Sequence, residues 1–190
     1  MIVYSSDTDA FIEHVRDNTI SDMMSDAFEG IFGRKVGGSE IMSWQNSLSR
    51  VRDLIELAGL TDNMIALEYE VPYNQHRIDC LLFGKGDDNA HNVVLIELKQ
   101  WSSVKSLEDA GNFVETYTGG AERVVPHPAQ QVEGYHHYLK GFTPGRRSLV
   151  YAVIIHGLGG EEHWRMEGNV TRQKLVTTCH RPGGIQGYPW

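Results

Sequence analysis

Apolar positions along the chain follow two different periods, which separate the predicted strands from the predicted helices. Apolar residues at helical spacing predict three helices before residue 60 and a fourth that begins at Pro128. Short runs rich in branched apolar residues predict strands at 1–4, 65–71, 77–84, 93–101 and 149–155, and a small hairpin at 113–125. The mixture of the two kinds of element predicts an α/β protein.

The ends of the first three helices carry residues that favour helix termini. Ser6 or Asp7 is expected to cap the first helix, and Gly33 to end the second. Ser39 is expected to cap the third helix, which Gly59 ends. We interpret the first two helices as core packing without a chemical role.

A hairpin of two strands, Arg77–Gly84 and Val93–Trp101, is the clearest local pattern in the chain. Its second strand is apolar on both faces until Glu97, which is typical of a strand at the centre of a sheet. A charged side chain at such a position is energetically costly. The charges of this hairpin are therefore the first candidates for a chemical role.

Three charged side chains are expected to converge on one face of the hairpin. Side chains alternate along a strand, so Glu97 and Lys99 share a face with Val93. If Phe83 pairs with Val93, then Asp79 falls opposite Glu97, with Cβ atoms roughly 5 Å apart. The predicted constellation is an acid on one strand and an acid and an amine on the other.

Two carboxylates at that separation repel each other unless a cation lies between them, and oxygen ligands suit Mg²⁺ or Mn²⁺. Asp79 and Glu97 are therefore candidate metal ligands, and Lys99 is a candidate for orienting a water molecule or helping to deprotonate it. This is the chemistry of phosphodiester hydrolysis. The alternative is that Asp79, Glu97 and Lys99 form a buried structural ion-pair network.

Gln131 and Tyr135 lie four residues apart on the predicted fourth helix and therefore share one of its faces. They are expected to reach one site together and to hold a water molecule, Lys99 or a phosphate by hydrogen bonds. The alternative is an amphipathic core helix with a tyrosine at its margin. Gly134 weakens such a helix, which suggests close backbone packing at that position.

These motifs resemble the PD-(D/E)XK nuclease superfamily, whose members have the restriction-endonuclease-like fold. Ile78-Asp79 followed by Glu97-Leu98-Lys99 is similar to its D…ExK core, with Ile in place of the Pro of the family name. The Q-x-x-x-Y spacing of Gln131 and Tyr135 resembles the RecB-type branch. Further stretches resemble the nuclease-like module that precedes a Schlafen-group-3-type helicase domain: Ser39-Glu40-Ile41, Arg77-Ile78-Asp79, Ile96 to Trp101, Gly119-Gly120 and His127-Pro128.

The resemblance implies an α/β sandwich with a mixed central β-sheet flanked by helices. It implies a Mg²⁺- or Mn²⁺-dependent nuclease that acts on nucleic acid, DNA more than RNA, with a helicase domain or partner. The carbonyl of Leu98 is expected to add a ligand, and Glu40 is either a further ligand or an acid placed by the helix dipole. The alternative function is an inactive nuclease-fold module that binds nucleic acid or a partner protein.

Length and composition fit one globular domain of 190 residues with 41% hydrophobic residues. The net charge of −8 argues against nucleic-acid binding by the whole surface, and so counts against a nuclease. Cys80 and Cys179 are too few for a disulfide framework or a four-cysteine zinc site, which favours a reduced, cytoplasmic setting. No apolar run predicts a membrane span.

The domain prediction assigns 1–156 to a nuclease-like domain and 157–190 to a C-terminal extension. The extension contains a weak strand at 175–178 and no closing element, which indicates a sequence that stops within a longer protein.

Glu68 and Glu70 are expected to face water. His76 and Arg77, shortly before Asp79, either bind a phosphate or face water, and we favour water. Arg123 is a candidate phosphate contact, with an ordinary exposed arginine as the alternative. Trp101 is expected to pack in the core and not to stack on a base.

Overall fold

The computed structural model describes residues 1–61, 63–72, 76–85, 91–107, 112–142, 147–156 and 165–167. The predicted strand at 175–178 and most of the 157–190 extension lie outside the described residues, as does most of the predicted turn at 141–147. Four helices are described, α1 (Thr8–Arg16), α2 (Ile20–Phe32), α3 (Gly38–Ala58) and α4 (Pro128–Phe142). The nine described strands are β1 (Ile2–Asp7), β2 (Met64–Glu70), β3 (Arg77–Lys85), β4 (His91–Gln100), β5 (Val104–Ser106), β6 (Phe113–Thr118), β7 (Ala121–Pro126), β8 (Arg147–His156) and β9 (Arg165–Glu167).

The strands form a six-stranded sheet in the order β1-β2-β3-β4-β8-β9 and a three-stranded sheet in the order β5-β6-β7. In the larger sheet β1 to β4 pair antiparallel, whereas β4 and β8 pair parallel. The chain reaches β8 from β4 through α4, as a parallel pair requires a crossover. The predicted α/β fold, the central position of β4 and the placement of β8 beside it are confirmed.

Helices cover both faces of the larger sheet. Successive side chains of β4 accordingly pack into two different cores. Val94 and Ile96 belong to the core that contains α1, α2 and α3. Val93 and Leu95 belong to the core that contains α4 and the inner face of the small sheet. Opposite faces of one strand therefore meet different helices. Trp101 is buried in the second core, which confirms its predicted packing role.

The helix ends confirm three of the predicted signals and correct one. Asp7 caps α1, its side chain accepting a hydrogen bond from the Ala10 N–H at 2.7 Å. Gly33 and Gly59 end α2 and α3 in the left-handed conformation, with φ of 66° and 64°. The expectation that Ser39 caps α3 was wrong. The Gly37 carbonyl already closes the first turn of that helix, so Ser39 lies inside it.

The predicted hairpin at 113–125 is present as β6 and β7. β5 and β9 were not predicted, since three residues are too few to show a period. β9 pairs with β8, so part of the 157–190 segment joins the larger sheet. Gly134 is exposed, and a Cβ there would meet nothing within 4 Å, so the close packing suggested at this glycine is absent. In the described part of the chain, no helix combines the length and apolar character needed to cross a membrane.

Candidate active site

Asp79 lies where the β3–β4 ladder ends. Phe83 pairs with Val93, which is the register assumed in placing Asp79 opposite Glu97, and the backbone pairing ends at Cys80 and Ile96. Continuing the same register brings Asp79 opposite Glu97. No backbone pair forms there, and the Leu98 N–H donates instead to Asp79 Oδ2 at 2.7 Å. The carboxylate therefore replaces the main-chain acceptor that the neighbouring strand would have supplied.

The backbone is irregular at the row that contains Asp79. On β3, Ile78 packs in the α4-side core and Cys80 in the α3-side core, although side chains two apart on a strand normally share a face. On β2, Glu68 lies between the pairs that flank Asp79, and its φ is 52°. A non-glycine residue in this left-handed region is strained by about 1–3 kcal/mol and is commonly found at functional sites.

Glu97 is buried, with 1% of its side chain exposed. Lys99 donates to Glu97 Oε1, while Oε2 is buried and has no hydrogen-bond partner among the described residues. Burial, followed by the negative charge of Asp79, raises the pKa of Glu97 to about 8. Burial also raises the pKa of Asp79, against the opposing effects of Lys99 and the Leu98 N–H. The two carboxyls are therefore close enough to interact, and one of their oxygens has an unmet bonding capacity.

Lys99 is tied to α4 by a chain of hydrogen bonds. Its Nζ donates to Gln131 Oε1 at 3.3 Å, and Gln131 Nε2 donates to the Tyr135 hydroxyl at 2.9 Å. That hydroxyl donates in turn to the Arg77 carbonyl at 3.3 Å. Burial is the main reason that the pKa of Tyr135 rises to about 12, so the phenol stays protonated and can donate. The structure brings Gln131 and Tyr135 to Lys99, as their helical spacing predicted.

A cavity of about 380 Å³ reaches this region from both helical layers. Its lining includes Glu40 and Trp44 of α3, Asp79 of β3, and Gln131 and Tyr135 of α4. Glu97 and Lys99 are not among the lining residues. They adjoin the cavity through Gln131, which contacts Lys99 and also lines the wall.

A network of opposite charges lies on the α3 side of the same cavity. Arg77 Nη2 donates to Glu40 Oε1 at 2.6 Å, and Arg77 Nη1 lies 3.1 Å from Glu68 Oε2. The other Glu68 oxygen accepts from Trp44 Nε1 at 2.9 Å. Glu40 therefore lies in the candidate site, where its charge is matched by an arginine.

This network corrects two sequence predictions. Glu68 and Arg77 were expected to face water, but 12% of the Glu68 side chain and 26% of the Arg77 side chain are exposed. Burial and the charge of Asp79 raise the pKa of Glu68 to about 7. The expectation was wrong because regular alternation was applied to β2, whereas Leu67 and Glu68 both reach the α3-side core.

The strand pairing that brings Glu68 to the site could not be read from the sequence of β2. The antiparallel register of β2 and β3 aligns Glu68 with Asp79, and directly opposed residues lie on the same face of a sheet. That register depends on the connection between the two strands, which the periodicity of either strand does not specify.

The residues present fit a divalent cation by charge and by donor type. Four carboxyl groups (Glu40, Glu68, Asp79 and Glu97) and two cationic groups (Arg77 and Lys99) give the ionised cluster a formal charge of −2. In an extended strand the N–H and C=O of one residue point to the same neighbour, so the carbonyl of Leu98 faces the Asp79 side. Within the described residues, no three His, Cys, Asp or Glu side chains are already arranged as a ligand set. Glu97 Oε2 is the orphaned atom that a cation would satisfy.

Arg123, the other candidate phosphate contact, lies on the small sheet, where it is exposed. Its guanidinium lies beside Gly119 of the β6–β7 turn, and it is not among the residues that line the cavity.

No protein-family model matches this chain, and neither the curated proteins nor the solved structures contain a significant match. The geometry of the site and the motif resemblance are therefore the basis for proposing a function.

Proposed function

We propose that this protein is a Mg²⁺- or Mn²⁺-dependent nuclease of the PD-(D/E)XK type that hydrolyses phosphodiester bonds. The observation that carries the proposal is the meeting of Asp79, Glu97 and Lys99 where two central strands stop pairing. The element order α3, β2, β3–β4 hairpin, α4, β8 is the order expected of the restriction-endonuclease-like sandwich that the motifs imply. The link from Lys99 to Gln131 and Tyr135 supports the RecB-type comparison.

The proposal gives each side chain one role. Asp79, Glu97 and the Leu98 carbonyl would hold the cation, and Glu40 is the candidate for a further ligand on the α3 side. When bound, the cation would lower the pKa of a nearby water molecule and stabilise the charge that grows on the phosphate. Lys99 orients the attacking water, and Gln131 with Tyr135 holds the lysine amine in place.

The raised pKa values of Asp79 and Glu97 support a site that requires a further positive charge. Burial disfavours ionisation of both carboxyls, and the charge of Asp79 further disfavours ionisation of Glu97. Lys99 compensates only part of the negative charge, since Glu97 Oε2 stays without a partner in the described part of the chain. A divalent cation would favour both ionised forms.

We propose that the substrate is DNA. We also propose that the protein acts with a helicase domain or partner and is located in the cytoplasm. The net charge of −8 makes non-specific attraction of a polyanion by the whole surface weak, so phosphate contact must be local. A partner that delivers the nucleic acid would compensate for weak binding by the domain itself.

The test is cleavage of linear DNA and of RNA with Mg²⁺ or Mn²⁺, with EDTA as the negative control. We expect activity with metal only, and a loss of at least about a hundredfold in Lys99→Ala, the scale seen for a group that handles a proton in the transition state. Lys105→Ala is the matched control, because Lys105 is an exposed lysine on β5 and neither it nor its partners Glu115 and Glu122 line the cavity. Cleavage that survives EDTA, or that Lys99→Ala leaves intact, would reject the mechanism.

The second candidate is an inactive module of the same fold that binds nucleic acid or a partner protein. It is favoured by the engagement of Lys99 with both Glu97 and Gln131, and by the absence of Lys99 from the cavity lining. Calorimetry with Mn²⁺ separates the two. The nuclease requires metal binding that Asp79→Asn abolishes, and a wild-type protein that binds no Mn²⁺ would favour the inactive module.

A further inference from the structure

Arg77 is the only arginine or lysine that lines the cavity among the described residues. Both its terminal nitrogens face carboxylates, Glu40 at 2.6 Å and Glu68 at 3.1 Å. Its guanidinium also lies over the Phe28 ring, with Cζ 5.3 Å from the centroid. Contacts on several sides fix the plane and position of the group before any ligand arrives, which is the arrangement that favours fork-like recognition of phosphate.

Hydrogen bonding in the fork is incomplete. A guanidinium carries five N–H donors, and the Glu40 bond uses one of them with good geometry. Nη1 lies near Glu68 Oε2 but has no hydrogen-bond partner in the described part of the chain. Buried donors of this kind are normally satisfied.

Glu68 reaches Arg77 at a conformational cost. Its φ of 52° within a strand directs the carboxylate to the α3 side, where Trp44 Nε1 fixes one oxygen and leaves the other toward Arg77. If Glu68 only neutralised the charge of Arg77, it would need neither the strained backbone nor the hydrogen bond from Trp44. They fit a residue whose task is to hold its partner in one place.

We propose that Arg77 binds a phosphate group of the nucleic acid inside the cavity, and that Glu68 is the positioning residue that holds its guanidinium there. The inference rests on the proposed function for the identity of the ligand. Arg77 lies two residues before Asp79 on β3, so a phosphate bound by its fork would lie beside the carboxylate proposed to hold the cation.

Binding of a fluorescently labelled DNA oligonucleotide in EDTA, over a series of salt concentrations, tests the inference without turnover. We expect Arg77→Gln to weaken binding about tenfold and to lower the salt slope by about 1, the signature of one lost phosphate contact. Arg16→Gln is the matched control, because Arg16 pairs with Glu56 outside the cavity. Equal affinity and slope in Arg77→Gln and wild type would overturn the proposal.

Glu68→Gln distinguishes positioning from simple charge by the sign of its effect. Removing a negative charge near a polyanion should tighten binding if Glu68 contributes only its charge. Loss of the hold on Arg77 should instead weaken binding several-fold, and Glu29→Gln, at an exposed position of α2, reports the effect of removing one surface carboxylate. Tighter binding by Glu68→Gln would remove Glu68 from the proposed role.

Folding and the proposed catalysis are separated by further measurements. The double variant Glu68→Gln/Arg77→Gln removes one charge of each sign, so it should fold even if Arg77→Gln does not, and it should bind as weakly as the single variant. If wild type binds the oligonucleotide through Arg77 yet never cleaves it, the inference stands and the nuclease proposal fails. If wild type cleaves DNA and the Arg77 variants bind the oligonucleotide normally, the nuclease proposal stands and the inference about Arg77 fails. A wild-type protein that binds no oligonucleotide overturns the inference.

Discussion

The Asp79 carboxylate accepts a hydrogen bond from the Leu98 N–H at 2.7 Å, at the point where the β3–β4 ladder ends. One side chain thereby satisfies the backbone of the neighbouring strand and fixes the position of an acid beside Glu97. The same group thus contributes to the end of a β-ladder and to the candidate metal site, and substitution at Asp79 can separate these two contributions.

Asp79→Asn should remove Mn²⁺ binding while the protein stays folded. The asparagine amide oxygen can still accept a hydrogen bond from the Leu98 N–H. Lys99 keeps Glu97 as its ion-pair partner, so no buried positive charge is left unpaired. Asp79→Ala should also remove Mn²⁺ binding but destabilise the protein by about 1–3 kcal/mol, because the Leu98 N–H is left without an acceptor. Calorimetry with Mn²⁺ and urea denaturation of the two variants measure the two effects. Equal stability of Asn and Ala variants would contradict the role assigned to this hydrogen bond.

Tyr135→Phe should lower cleavage about tenfold without changing Mn²⁺ affinity. The substitution removes the hydroxyl that holds Gln131, and Gln131 in turn holds Lys99. It should also cost about 1 kcal/mol of stability, since the hydroxyl donates to the Arg77 carbonyl. The measurements are single-turnover cleavage and Mn²⁺ calorimetry, with Tyr117→Phe on the exposed face of β6 as the control. A change in metal affinity that equals the loss of rate would place Tyr135 at the cation instead.

The free energy of unfolding should fall with rising pH in metal-free protein because of Glu97. Burial and Asp79 raise its pKa from 4.5 to about 8 in the folded state, so between these values the folded chain binds a proton that the unfolded chain has released. Stability contributed by this proton is present at low pH and is lost as the pH rises toward 8, with a slope of at most about 1.4 kcal/mol per pH unit. Glu97→Gln does not titrate and should lack this component.

Urea denaturation in EDTA at several pH values measures this difference between wild type and Glu97→Gln. Addition of Mn²⁺ should reduce it, because a cation favours the ionised carboxylate. Parallel pH profiles of the two proteins would show that Glu97 is ionised in the folded state without metal.

Gly134→Ala should stabilise the protein by about 0.5–1 kcal/mol, since alanine favours a helix interior and reduces the freedom of the unfolded chain. A Cβ at this exposed position of α4 meets nothing within 4 Å. Cleavage should be unchanged. Gly59→Ala is the contrasting variant and should destabilise, because φ at that helix end is 64°. Thermal denaturation of both variants measures the direction of each change in stability. A Gly134→Ala variant that is less stable than wild type would indicate a contact at this position.

Features governed by neighbours in sequence were predictable from the sequence alone. The hairpin arms, the Asp7 cap and the glycine helix ends follow from local periodicity and from backbone conformations that a few residue types favour. The four-residue spacing of Gln131 and Tyr135 also fixed their common direction on α4. Local sequence patterns therefore identified β3, β4 and α4 as parts of the candidate site before its geometry was known.

Only the tertiary structure decided which charged side chains are buried together. Glu68 and Arg77 read as solvent-facing in their own strands, yet an irregular row in the sheet and the approach of α3 enclose them beside Glu40 and Trp44. A strand's own sequence specifies alternation, but it does not specify where alternation breaks or which helix covers each face. Those outcomes depend on packing between residues distant in the chain, and that packing determines whether a charge meets water or another charge.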